Sequence, residues 1–478
     1  MTYSQYDTDF ASKSHSFVDW FKQQGTTISP KIELADLRFR NAGRGVLATD
    51  DIGEDEDLFS IPRSSILTVE TSSLPPELRE NDDPWLSLIV AMVYECRQGS
   101  QSKWRPYLDV LPEHFDTLMF WSTAELDGLE GSAVVDKIGK DTADEAFQTN
   151  VLPKLKKHAE TFRLSGTSDE ELLSLCHRMG STIMAYAFDL EKPGGAPSKS
   201  EEDGWEEDDE ETVILPKGMV PFADMLNADA DRNNAKLYYE EDKVVMKTIK
   251  PVRKGEELLN DYGSLPNADV LRRYGYVSSN YDKYDVVELS LDVISWAAQE
   301  RHHVKSDDWQ AKINYLEELG ALEDGYDISR ASDEDGQFSD ELCILLNMIV
   351  MPRAELDALM RKDKLPKPEL SKAAETLLWD SLVRRRAAYR PDTIYEADVR
   401  SEKLALEHSG ATDFVKCRRR DMAQHVVLGE RKILQEAACA VAEMSGDDLL
   451  KSRVENFETE AFGMNYSKHP HNTKKRKR

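Results

Sequence analysis

The chain has 478 residues, too long for one ordinary core, so two or three folded units are expected. Hydrophobic residues make up 40% of it, with 8 Trp, 17 Tyr and 15 Phe, which excludes a disordered chain. The 61 basic and 90 acidic residues leave a net charge of −29, a field that repels nucleic-acid phosphates and draws basic partners.

Cys96, Cys176, Cys343, Cys417 and Cys439 are scattered and form no CxxC pair. A disulfide framework and a zinc cluster are therefore not expected, and a reducing compartment is. Met1–Phe10 is polar and lacks the apolar core of a signal peptide, and no apolar run approaches membrane-spanning length.

In chain order, Phe17, Trp20 and Phe21 give residues 14–24 an amphipathic helical spacing that ends at Gly25. Short strands follow at Gly45–Ala48 and Leu58–Pro62, on either side of an acidic turn around Gly53. From Pro84 the pattern is helical, with Trp85, Leu88, Ile89, Met92 and Val93 on one stripe, and it stays helical with interruptions through Leu172–Phe188. A Pro/Gly-rich break then leads into Glu201–Glu211, acidic except for Gly204 and Trp205, which cannot bury itself and is expected to be a disordered loop.

Strand character resumes at Val213–Leu215. It is clearest where Leu237–Tyr239 and Val244–Met246 flank a turn, the pattern of a hairpin. Residues 251–256 read as a tight turn into Leu258–Leu259. Beyond Leu289 the spacing is mostly helical: Val293–His302, Asp340–Met351, Leu370–Arg386 and Ser401–Glu443. The class is α+β. A β-rich unit at 14–284 carries a helical insertion at about 84–190 and the acidic loop at about 191–211. A mainly helical unit follows at 285–460, and then a basic tail at 461–478. The terminal Lys474-Lys475-Arg476-Lys477-Arg478 is a candidate nuclear import signal, with nuclear and cytoplasmic residence expected.

Four separated segments carry the chemistry: Asn41–Val46 (NAGRGV), Met184–Phe188 (MAYAF), Pro221–Ala228 (PFADMLNA) and Gly255–Gly263 (GEELLNDYG), the last followed by Leu271–Tyr276 (LRRYGY). Singly they are bland. Gly43-Arg44-Gly45 fits an ordinary turn and is neither a P-loop nor a full GxGxxG. Tyr186 fits a helix core, Tyr262 a turn anchor and Asn227 an Asx-turn.

Taken together, their order and spacing resemble SET-domain methyltransferases of the class that contains the Rubisco large-subunit lysine methyltransferase. Within that class the chain is similar to the fungal ribosomal lysine methyltransferases and to SET domain-containing protein six of animals. The resemblance covers nearly the whole chain, including the helical insertion and a C-terminal helical substrate-binding domain. It implies a protein-lysine N-methyltransferase using S-adenosyl-L-methionine (SAM), with no metal. The implied substrate is a basic protein, a large-subunit ribosomal protein, and the implied state is a monomer with no membrane or direct nucleic-acid partner.

By the same resemblance Ala42, Gly43, Arg44 and Gly45 form a cofactor loop, while Tyr186, Asn227, Ala228 and Tyr274 contact SAM. Tyr262 lies at the methyl-transfer site, and Trp104, Asp224 and Tyr239 join it as substrate contacts. Ala228 departs from the family, where histidine usually follows the asparagine. A backbone contact survives that change and an imidazole stack does not. Tyr262 is suited to orienting an amine, because a phenol of pKa near 10 is no standing base at pH 7. Two other readings remain open at this point: a silent interaction module for basic partners, and a protein-histidine methyltransferase.

Overall fold

The computed structural model describes residues 3–40, 42–79, 83–191, 215–331, 336–391 and 411–463. Residues 192–211 of the acidic loop and 464–478 of the basic tail fall outside the described residues, as does Asn41, while residues 461–463, expected to open the tail, close the short helix Phe457–Gly463. The chain divides into two compact units. One comprises residues 1–120, 138–265 and 269–276; the other comprises 121–137, 266–268 and 277–478. The short segment 121–137, which reads in sequence as part of the helical insertion, thus belongs with the C-terminal unit.

In the first unit, helix α1 (Tyr3–Gln23) buries Phe17 and Phe21, and Gly25 turns the chain at φ +77°. Strands β1 (Thr27–Ile28) and β2 (Ile32–Asp36) follow, then β3 (Arg44–Ala48) and β4 (Asp57–Pro62). Helix α2 (Pro84–Gln98) begins where the Asp83 carboxylate accepts from the amides of Trp85 and Leu86, with Pro84 in the first turn. Helix α3 (Asp169–Tyr186) starts with a capping box between Ser168 and Glu171.

Beyond α3 come β5 (Ala187–Asp189), β6 (Lys217–Met219), β7 (Asn227–Ala228), β8 (Ala235–Tyr239), β9 (Lys243–Thr248) and β10 (Glu257–Asn260). The strand expected at Val213–Leu215 is not found at Leu215, and β6 starts only after Pro216, which has no N–H to give a ladder.

Two four-stranded sheets result, ordered β1-β4-β9-β8 and β2-β3-β10-β7. The β8–β9 hairpin pairs Tyr239 with Val244, as its alternation predicts. Strands β3 and β4, neighbours in sequence, lie in different sheets. One continuous core joins α1, α2, α3 and the sheets. Phe222 stacks on Phe21 at 5.2 Å and meets Phe59 edge-on at 5.0 Å.

The second unit holds an antiparallel pair, β11 (Val287–Ser290) with β12 (Gly325–Ile328), which the helical spacing beyond Leu289 does not show. Four residues are too few to declare a period, and burial of Tyr326 and Ile328 is what fixes the strand. Helices Lys372–Arg386 and Ala411–Ser445 pack on the pair, and Asp340–Val350 packs on Lys372–Arg386. Segment 121–137 is tied into this unit by buried polar contacts. Ser132 donates to Glu430 at 2.7 Å, and Arg385 donates to the Gly131 carbonyl at 2.6 Å. No described helix is long and apolar enough to cross a membrane.

Candidate active site

Strand β10 is the reason distant segments meet. It pairs antiparallel with β3, Leu258 opposite Val46, and parallel with β7, Leu259 opposite Asn227 and Asn260 opposite Ala228. The Gly43–Gly45 segment and the Asn227–Ala228 segment therefore flank the strand whose end delivers Asp261, Tyr262 and Gly263. Buried Asn234 locks that end. Its amide group accepts from the Leu259 N–H and donates to the Glu257 carbonyl, each at 2.8 Å. Asp261 then accepts from the Gly263 amide at 2.8 Å and fixes the turn that presents Tyr262.

A second pairing brings in the rest. Strand β5 continues directly from Tyr186, and β6 leads into Pro221–Asn227. Ala187 opposite Met219 brings the two together. Phe222 holds φ +77°, a left-handed conformation that costs a bulky residue about 1–2 kcal/mol. That turn sends the Phe222 ring into the core while Asp224, two residues on, faces a cleft.

The cleft has a volume of about 290 Å³ and is lined by Ala42, Gly43, Arg44, Tyr186, Asp224, Asn227 and Tyr262, together with Phe10 and Lys13 of α1. Gly43 has φ +65° and open space where a Cβ would stand, so its backbone is free to be approached from the cleft. Gly45 is glycine for a different reason. A Cβ there would lie 2.3 Å from Leu37 Cδ1, 2.9 Å from Glu257 Oε1 and 3.0 Å from Asn227 Nδ2, so packing and not ligand approach excludes a side chain. Asn227 Nδ2 donates to the Arg44 carbonyl at 3.2 Å and to Glu257 at 2.7 Å, which ties two walls of the cleft together.

The Arg44 side chain is a brace. It donates to Ser14 Oγ at 3.0 Å and to the Val110 carbonyl at 2.9 Å, and the Phe10 ring lies 3.9 Å from the guanidiniums of both Arg44 and Arg38. Burial, and then the neighbouring Arg38, pull its pKa down to about 10, which leaves it charged at neutral pH.

Tyr262 is half-buried and stacks on Tyr274, with centroids 4.5 Å apart and planes at 15°. Burial pushes its phenol well above the usual value, and Tyr186 is pushed up to about 12 by the same cause. Both are neutral hydroxyls across the physiological range. Asp224 behaves differently. It is 5% exposed, and Tyr107 donates to its Oδ2, whereas no donor meets Oδ1 in good hydrogen-bond geometry. Burial raises its pKa to about 8; the Tyr107 hydroxyl and the amides of Asp224 and Phe222 work against that rise.

Not every expected residue reaches the cleft. Ala228 lies beside it in the β7–β10 ladder, and Tyr274 stands behind Tyr262. Trp104 does not line the cleft: it is 2% exposed and packs on Trp20 at 5.8 Å. Tyr239 also lies away from it, donating to the Asp189 carbonyl at 2.7 Å. Sequence reading missed Tyr107, Asn234, Glu257 and Phe10. Only Glu257, inside the Gly255–Gly263 segment, carried a signal that could have singled it out. Among the described residues no group of three or more His, Cys, Asp or Glu could hold a metal ion.

Comparison with known proteins fits this geometry. The SET domain family model matches residues 43–263. Ribosomal lysine N-methyltransferase 4 of Saccharomyces cerevisiae is 37% identical over 303 residues, covering 61% of this chain and 61% of the yeast protein. Human N-lysine methyltransferase SETD6 is 28% identical over 390 residues, 73% of this chain and 77% of its own length. The crystal structure of the SET domain of LSMT bound to lysine and AdoHcy superposes with a TM-score of 0.62 at 17% identity, covering 96% of this chain and 94% of that one. At that identity the likeness speaks for the fold.

Proposed function

We propose that the chain is a SET-domain protein and, from that premise, a SAM-dependent protein-lysine N-methyltransferase. The observation that carries the reading is the convergence of Gly43, Tyr186, Asn227 and Tyr262 on one cleft. The cleft fits an adenosyl cofactor at its approachable Gly43 backbone and at the wall that Asn227 ties together. We assign the holding of SAM to the backbone of Ala42, Gly43 and Arg44, to Tyr186 and Asn227, and to the backbone of Ala228, with Tyr274 supporting Tyr262 from behind. When bound, SAM supplies a methyl group already activated by its sulfonium charge.

The chain must then present an uncharged amine in line. Deprotonating a lysine of pKa about 10.4 at pH 7 costs roughly 4–5 kcal/mol, and an apolar channel lowers that cost by penalising the ammonium. Tyr262 is assigned to orient the amine: its hydroxyl is neutral, its ring is held by the stack on Tyr274, and alignment in a narrow site is worth several kcal/mol. Trp104 and Tyr239 are not carried forward as substrate contacts, because neither lines the cleft.

We further propose a large-subunit ribosomal protein as the acceptor and the Lys474–Arg478 cluster as an import signal. The yeast relative's name supports a ribosomal acceptor, and the net charge of −29 is complementary to a basic target. The cofactor is tested by thermal shift. SAM or S-adenosylhomocysteine should raise the Tm, by about 2.7 kcal/mol of stability at a hundredfold excess over Kd, while NADH, ATP and zinc should not. No shift with either adenosyl compound at millimolar concentration would remove the enzyme reading in favour of a silent module for basic partners.

A further inference from the structure

We propose that Asp224 accepts the proton of the substrate ammonium through Oδ1 and that Tyr107 is the positioning residue that holds it for that task; this rests on the methyltransferase reading and deepens it. Three observations converge. Tyr107 is fully buried and spends its hydroxyl on Asp224 Oδ2. No donor meets Asp224 Oδ1 in good hydrogen-bond geometry, in a residue that is 5% exposed. The same residue lines the cleft that contains Tyr262. A buried acceptor with no donor is costly and calls for an explanation, and at the wall of a cleft a ligand's donor supplies one. An ammonium brings three N–H donors.

The groups facing Asp224 leave it this role. Its titratable neighbours are the phenols of Tyr107, Tyr186 and Tyr262, all driven upward by burial and none a base at neutral pH. The charged residues on the cleft are Lys13, Arg38 and Arg44, and against them Asp9, Asp109 and Glu113. Burial places the Asp224 carboxyl about four pK units above an ordinary aspartate, near 8. The unfavourable ratio for taking a proton from an amine shrinks by about four powers of ten as a result.

The step balances. One N–H bond of the ammonium breaks and its electron pair stays on nitrogen as the lone pair. The proton joins a lone pair of Oδ1, so a cation and an anion become a neutral amine and a neutral acid. The acid later releases its proton to water through the cleft.

The experiment measures kcat/KM against pH for the full chain, with tritiated SAM and proteins stripped from large ribosomal subunits as acceptor. Wild type, Asp224→Asn and Tyr107→Phe are compared, together with infrared titration of the buried carboxyl band and calorimetry with S-adenosylhomocysteine. Wild type should show an acid limb with its midpoint near 8. Asp224→Asn should lose that limb and at least about a hundredfold in kcat/KM with S-adenosylhomocysteine affinity kept. Tyr107→Phe should move limb and band together to higher pH, since it removes a donor that stabilises the carboxylate. An Asp224→Asn enzyme with wild-type turnover and an unchanged limb overturns the proposal, and so does a band titrating near pH 4. Should Asp224→Asn fail to fold, the Tyr107→Phe shift decides. Wild type that neither binds S-adenosylhomocysteine nor transfers methyl refutes the methyltransferase reading and takes this inference with it.

Discussion

Replacing Asp224 by Asn should shift the balance of stability steadily toward the Asn protein as the pH rises. The folded carboxyl titrates at about 8 and the unfolded one near 3.8, so between those values the folded state binds more protons than the unfolded. Stability then falls with rising pH, by about 1.4 kcal/mol per unit, until the folded group is itself ionised. Below the unfolded value both states are protonated and the effect vanishes; above the folded value it is constant, on the order of 5 kcal/mol. Asparagine can still accept from Tyr107, but it places an unpartnered amide where Oδ1 was, a cost that does not depend on pH. The slope is therefore the clean quantity. Between about pH 5.5 and 7.5 the stability difference, Asn minus Asp, should grow by about 2–3 kcal/mol, which is several degrees in the Tm of a unit of this size. Thermal or urea unfolding of both proteins across that range measures it, all other titrating groups cancelling in the comparison. A difference that stays flat with pH would show that Asp224 is an ordinary ionised aspartate, and the electrostatics assigned to the cleft would be wrong.

Tyr262→Phe removes one hydroxyl with little change in volume and leaves the stack on Tyr274, so turnover should collapse with S-adenosylhomocysteine affinity and Tm nearly unchanged; steady-state kinetics beside calorimetry check it. Gly45→Ala drives a methyl into Leu37, Glu257 and Asn227 and should cost about 1–3 kcal/mol in urea unfolding, with cofactor binding weakened through the displaced Asn227. Gly43→Ala meets open space and pays only for its positive φ, about 1–2 kcal/mol. Asn227→Ala cuts the tie between Arg44 and Glu257 and should blunt the thermal shift given by S-adenosylhomocysteine, whereas Ala228→His should leave that shift intact or enlarge it.

The sequence made the ends of the chemistry legible but not its middle. Alternation announced β8 and β9, the apolar stripe from Trp85 to Val93 announced α2, and the four motif segments picked out Gly43, Tyr186, Asn227 and Tyr262. Their meeting depends on β10 pairing with β3 and β7, and short strands of two to five residues declare no partner in their own pattern. Tyr107 was invisible because an apolar-looking aromatic in a short helical turn reads as core until Asp224 is found beside it. Trp104 and Tyr239 entered as substrate contacts through the family resemblance alone, and the structure places one in the core and spends the other on a backbone carbonyl. Segment 121–137 could not be assigned from sequence, since what binds it to the second unit is Ser132 with Glu430 and Gly131 with Arg385, contacts made across some 250–300 residues.

The central claim is that this cleft transfers methyl groups from SAM to a protein lysine. Its most direct test is to incubate the purified chain and SAM with ribosomes from cells lacking it, and to read every large-subunit protein by intact mass and fragment sequencing. The account predicts a methyl mass increment on one lysine, absent with Tyr262→Phe. An increment on histidine, or none on any protein while SAM binds, would contradict it.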